Sequence, residues 1–189
     1  MQSCTPGSPP PGDPKTAQAQ KDAAVKDALA KIKHKFLVMS GKGGVGKTSV
    51  SVNLAMALAN RGFKVGILDV DIHGPDVPRM LGLKGMLDLN SNQKLVPLQY
   101  SANLSAVSIE ALTASKDDAI IWRGPLKHSV IRQFIGDVAW GELDYLVIDS
   151  PPGTGDEPLS IAQSIPEAQA LVVTCLLYTS DAADDLYTV

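Results

Sequence analysis

Residues 36–48 read Phe36-Leu37-Val38-Met39-Ser40-Gly41-Lys42-Gly43-Gly44-Val45-Gly46-Lys47-Thr48. Four apolar residues of buried-strand length run into a glycine-rich turn, and Ser49 to Asn60 then reads as a helix. Residues 41–48 fit G-x-x-x-x-G-K-[ST], the spacing of a phosphate-cradling loop, and a strand before it and a helix after it are the context that spacing requires. Glycines at 41, 43, 44 and 46 let the backbone curl so that successive N–H groups point at phosphate oxygens. The helix opening near Lys47 adds unpaired amides and the positive end of its dipole. Lys47 supplies a point charge for the β- and γ-phosphates, and the Thr48 hydroxyl is a ligand for Mg²⁺. A chance glycine turn would match the pattern without the flanking strand and helix. Gly41, Lys42, Gly43, Gly44, Val45, Gly46, Lys47, Thr48 and Ser49 are therefore the expected nucleotide-binding residues.

The rest of the composition suits that reading. The chain has 189 residues, 44% of them hydrophobic, with a mean hydropathy near zero. This is enough core for one α/β domain. A net charge of −3 gives no basic surface for nucleic acid or an anionic membrane. The apolar runs fall well short of the roughly 18 residues a membrane span needs, and no signal peptide opens the chain. Cys4 and Cys175 lie too far apart to suggest a disulfide framework, and a reducing cytoplasm is the expected compartment.

Downstream, Lys64 to Asp69 reads as a second strand, ending in Asp69-Val70-Asp71. Acidic residues at the carboxyl end of a parallel strand face the ligand crevice. Residues 137–149 close on a further strand, four mostly apolar residues leading to an aspartate, which puts Asp149 beside the glycine loop to hold a Mg²⁺-bound water. Residues 95–98 and 104–109 are strand candidates, 125–135 and 157–165 are helices, and 168–174 is another buried strand. His73 has no second His or Cys at ligand spacing and reads as a loop histidine. The fold expected is a doubly wound, mostly parallel α/β sheet with helices on both faces.

The string 41–48, with its second lysine at 42, resembles the deviant P-loop of the ATPases that include septum-positioning and chromosome-partitioning proteins, the nitrogenase iron protein and the Mrp/ApbC iron–sulfur carriers. Residues 71–82 (Asp71-Ile72-His73-Gly74-Pro75-Asp76-Val77-Pro78-Arg79-Met80-Leu81-Gly82), 122–125 and 150–157 resemble the Mrp/ApbC group in particular. The resemblance implies that Lys42 reaches across a homodimer to the partner's nucleotide. It also implies that Asp71 orients the attacking water, and that 150–157 is a loop changing shape between ATP and ADP states. Lys42, Lys47 and Asp71 are then the catalytic residues, Thr48 and Asp149 the Mg²⁺ residues, and ATP and Mg²⁺ the cofactors. A second reading of Asp71, as a turn-capping residue before Pro75, stands beside the catalytic one. Arg123 fits a phosphate contact, a dimer contact or a salt bridge.

The activity implied is an ATP-hydrolysing carrier that assembles [4Fe–4S] clusters or passes them to apoproteins. A partitioning-type ATPase that switches surface binding is the alternative, and a P-loop kinase a third reading. In the carriers a Cys-x-x-Cys pair from each subunit holds the cluster. This chain has no such pair, so no iron–sulfur ligand is identifiable in it, and the cluster is expected of a full-length protein rather than of this polypeptide. The organisation expected is a Pro/Gly-rich disordered segment over 1–14, a helix over 15–34 (with Val25, Leu29 and Ile32 as its apolar stripe), a C-terminally truncated ATPase domain over 35–174, and a foreign tail over 175–189. Cys4 reads as a free thiol.

Overall fold

A computed structural model describes residues 23, 25–71, 74–85, 87–108, 135–153 and 155–176. Six strands form one sheet: β1 (Ile32–Met39), β2 (Val65–Asp69), β3 (Leu98–Ser101), β4 (Leu104–Ser108), β5 (Leu143–Asp149) and β6 (Gln169–Val172), in the spatial order β3-β4-β2-β5-β1-β6. β3 pairs antiparallel with β4, and every other neighbouring pair is parallel. Among the described residues, three helices between the strands are α1 (Lys47–Asn60), α2 (Val77–Met80) and α3 (Asp156–Ser164), and a helical stretch over 25–30 precedes β1.

Strand residues alternate between two cores, as a two-residue period demands. Val38, Val65, Ile67, Leu104, Ala106 and Val147 pack with Val52, Ala55 and Ala59 of α1 and with Val77 and Leu81 around α2. Their strand neighbours Leu37, Leu68, Val107, Leu146 and Ile148 face the other way, against Ile161 of α3, Ile165, Ile135, Val138 and Val25. The doubly wound α/β expectation is met. α1 has neither glycine nor proline, and its buried residues Lys47, Ser51, Ala55 and Ala59 recur every four positions. It ends at Gly62, whose φ of 90° suits the left-handed residue that closes many helices.

Several sequence-derived boundaries move. The first strand begins at Ile32, so Ile32 belongs to β1 and not to the preceding helix, which the structure describes at residues 25–30. The cause is pairing: Ile32 aligns with Leu143 of β5, and Lys33 reaches Asp144 at 2.7 Å. Only the Val25 and Leu29 part of the expected stripe meets the core as helix. The third strand starts at Leu98; Leu95 makes isolated bridges to Leu89 and Val138 instead. β6 is not the buried strand expected: Val172 is 69% exposed, because among the described residues β6 lies at the edge of the sheet and pairs only with β1. His73, Arg123, Cys4 and most of the expected 125–135 helix lie outside the described residues.

Candidate functional site: a phosphate cradle at the strand ends

β1, β5 and β2 stand side by side in the middle of the sheet, and their carboxyl ends deliver Ser40, Asp149 and Asp71 to one crevice. This is where open parallel sheets bind ligands. The loop after β1 turns through Gly44 (φ 75°) and Gly46 (φ 91°), a left-handed backbone that a side chain would strain. Gly46 is also the N-cap of α1; no side chain caps the helix and its first turn holds no acidic residue. Its opening amides and dipole thus face the cavity without a side-chain cap. The case for glycine at 41 and 43 is weaker than the sequence suggested. A Cβ at 41 would meet nothing within 4 Å, and one at 43 only Pro152 at 3.9 Å.

Asp149 is the polar centre of the site. It is 1% exposed and accepts hydrogen bonds from Lys47 Nζ (2.8 Å) and Ser51 Oγ (2.8 Å) on Oδ1, and from Thr48 Oγ1 (2.7 Å) on Oδ2. Lys47 and Ser51 are one helical turn apart on the buried face of α1, so one carboxylate gathers two residues of that face. Burying this ion pair is tolerable because both carboxylate oxygens are hydrogen-bonded.

Asp71 is buried and lines the same cavity, and its Oδ1 accepts Gly74 N at 3.2 Å. The turn-capping bond and the cavity-facing position therefore coexist. Asp69, two residues back and fully buried, accepts Asp71 N (3.1 Å) and Val77 N (3.1 Å), fixing both ends of the segment that carries Asp71. Burial is the main reason the Asp69 carboxyl is raised to about 7; the charges of Asp149 and Asp71 add to the rise, and the two amide bonds oppose it.

The cavity encloses about 390 Å³ and is lined by Ser40, Gly43, Gly44, Gly46, Lys47, Thr48, Ser49, Asp71, Gly74, Asp76, Met80 and Pro152. Lys47, Thr48, Ser49 and Asp71 thus meet in one place. Gly41, Lys42 and Val45 are not among the lining residues, and Lys42 is exposed. Loop 150–153 is tied to the end of β1: Ser150 Oγ donates to Val38 O (2.7 Å) and Gly153 N to Ser40 O (2.9 Å). Sequence reasoning missed Ser40 and Ser51, and it placed Asp69 at the crevice where the structure buries it as the anchor of the Asp71 segment. The four-residue step from Lys47 was the available signal for Ser51. A hard hydroxyl oxygen at Thr48 beside a carboxylate is a donor set suited to Mg²⁺.

A family model described as the NUBPL iron-transfer P-loop NTPase, within the ParA group, matches residues 31–181. The chain belongs to that family. The match reaches a few residues beyond the 35–174 span at both ends. Among relatives of this NUBPL-type NTPase, the iron–sulfur cluster carrier protein of Methanocaldococcus jannaschii is 50% identical over 163 residues, covering 86% of this chain and 56% of that protein. The human cytosolic Fe–S cluster assembly factor NUBP2 is 48% identical over 157 residues, covering 80% and 58%. The chain thus spans a little over half the length of these curated relatives. Among solved structures, a nucleotide-binding protein from Archaeoglobus fulgidus in complex with ADP superimposes with a TM-score of 0.71 at 39% identity, covering 86% of this chain and 65% of that one. The cell-division ATPase MinD of Pyrococcus furiosus gives 0.50 at 26% identity, covering 81% and 66%. No helix among the described residues is long and apolar enough to cross a membrane.

Proposed function

We propose that this chain is the ATP-hydrolysing core of an iron–sulfur cluster carrier, working as a homodimer in the cytosol and passing [4Fe–4S] clusters to apoproteins. The observation that carries the nucleotide half is the meeting of Lys47, Thr48 and Ser51 on Asp149, with Asp71 lining the same cavity. The carrier half rests on the names of relatives about half identical to it.

In this mechanism the loop amides and the start of α1 hold the inner phosphates, and Lys47 sets its charge against the β- and γ-phosphate oxygens. Thr48 and Asp149 are the residues that would hold Mg²⁺, which when bound offsets phosphate charge. Asp71 aligns a water with the γ-phosphorus; as the new P–O bond forms, the bond to the β-phosphate oxygen breaks, and ADP and phosphate result. Exposed Lys42 completes the site of a second copy, so turnover waits on dimer assembly. The cluster is cargo, its ligands outside the residues described.

The experiment is ATP turnover on the protein and its variants, with anaerobic cluster reconstitution on the complete gene product. Lys47→Ala is expected to abolish nucleotide binding or turnover. Asp71→Ala should bind ATP normally and lose about a hundredfold or more in turnover. Lys42→Ala should bind nucleotide as a monomer and lose the concentration-dependent part of the rate. Unchanged hydrolysis in Asp71→Ala would remove that residue from the mechanism. ATP-dependent binding to liposomes or DNA, with no cluster absorbance after reconstitution, would overturn the carrier reading.

A further inference from the structure

Two buried side-chain polar atoms among the described residues have no hydrogen-bond partner, Trp140 Nε1 and Ser40 Oγ. The indole lies in the core against Gly66 and does not line the cavity. Ser40 is different: it is 3% exposed, it ends the strand that feeds the phosphate loop, and it lines the cavity. The backbone around it is well paired. Its own carbonyl takes Gly153 N, Val38 O takes Ser150 N and Oγ, and Met39 O takes Val173 N. Only the hydroxyl is left over. Buried hydroxyls without partners are rare because they lose their hydrogen bonds to water and gain nothing in return. In this state serine offers no advantage over alanine at position 40, so the partner must arrive in another state.

Filling the cavity supplies that state. The amides at the start of α1 account for the inner phosphates, and Lys47 sets its charge between the β- and γ-phosphates, which leaves room for a neutral donor at the terminal group. Ser40 sits at the other end of the loop, against the 150–153 segment whose Pro152 shares the cavity wall. We propose that Ser40 is a further nucleotide-positioning residue: with a triphosphate bound, its hydroxyl hydrogen-bonds at the terminal phosphoryl group, directly or through the water held there, and with a diphosphate it stays unpaired. The inference rests on the nucleotide reading above and deepens it. Ser40 thereby reads which nucleotide is present, at the point where loop 150–153 is tied to β1.

The test compares the parent protein with Ser40→Ala and Ser40→Thr, titrating Mg-ADP and a non-hydrolysable Mg-ATP analogue by calorimetry, and following thermal unfolding without nucleotide. Ser40→Ala is expected to keep ADP affinity within about twofold and to lose about tenfold for the triphosphate analogue, as suits a hydrogen bond to a charged group. Its nucleotide-free melting temperature should equal or exceed the parent's, since an orphaned hydroxyl has gone. Ser40→Thr, which keeps the hydroxyl, should recover most of the triphosphate preference. If Ser40→Ala folds poorly, Ser40→Cys carries the same comparison, its thiol being only a weak donor. Equal losses for both nucleotides, or no loss for either, would overturn the role of Ser40 while leaving the nucleotide site standing. A parent that binds neither nucleotide would take both down.

Discussion

Asp149 shows how much a single residue organises. Its three donors come from α1, so the carboxylate fixes the helix start on which the phosphate cradle depends. Ser51→Ala removes one donor and leaves Lys47 and Thr48 in place; it should cost about 1 kcal/mol in denaturant unfolding. Asp69 makes a pH-dependent prediction. Its carboxyl titrates near 3.8 when unfolded and near 7 when folded, so between those values the folded chain holds a proton the unfolded chain has released. Stability of the nucleotide- and metal-free protein should therefore fall as pH rises from about 4 to 7, and then level off. In Asp69→Asn that slope should flatten, as melting temperatures across the range would show. The meeting of Lys47, Thr48 and Asp149 was anticipated in the sequence, the first two from the loop spacing and Asp149 from the apolar strand it closes. Ser51 and Ser40 were not, since a serine at a helix turn or strand end looks the same whether or not it meets a carboxylate or a cavity.

Elements were legible where pattern and pairing agree, as in α1 and β5, and blurred where pairing overrides pattern. β1 runs four residues ahead of the apolar stretch Phe36–Met39 because β5 lies alongside to pair with it, and the polar run Lys33-His34-Lys35 hid that extension. β6 looked buried from its apolar letters, but its exposure is set by its place at the rim of the sheet. Mutational cost should follow the observed burial: Leu68→Ala should lose about 2–5 kcal/mol, whereas Val172→Ala should stay within about 0.5 kcal/mol in the same urea titration. Gly66 in β2 is a sharper test. A Cβ there would sit 2.7 Å from Leu143 Cδ1 and 2.8 Å from Trp140 Cζ3, so Gly66→Ala should destabilise by about 1–3 kcal/mol through overpacking.

For the molecule as a whole, a mostly parallel sheet with helices on both faces was readable from the alternation of apolar and glycine-rich stretches, whereas the strand order came from the structure. Binding energy at the crevice where β1, β5 and β2 end stabilises the entire fold. If the nucleotide reading holds, ATP with Mg²⁺ at one hundred times its dissociation constant should raise unfolding free energy by about 2.7 kcal/mol in the parent and by almost nothing in Lys47→Ala, measured by thermal shift or chemical denaturation.

The strand order carries one more implication. β1, which leads into the anion cradle, has only β6 between it and the margin of the sheet, and Val173 N holds on to Met39 O just ahead of Ser40. Anything laid against that margin as a seventh strand would lie two strand spacings, about 10 Å, from the root of the phosphate loop. The edge strand and the root of the phosphate loop are thus joined by a continuous ladder of hydrogen bonds.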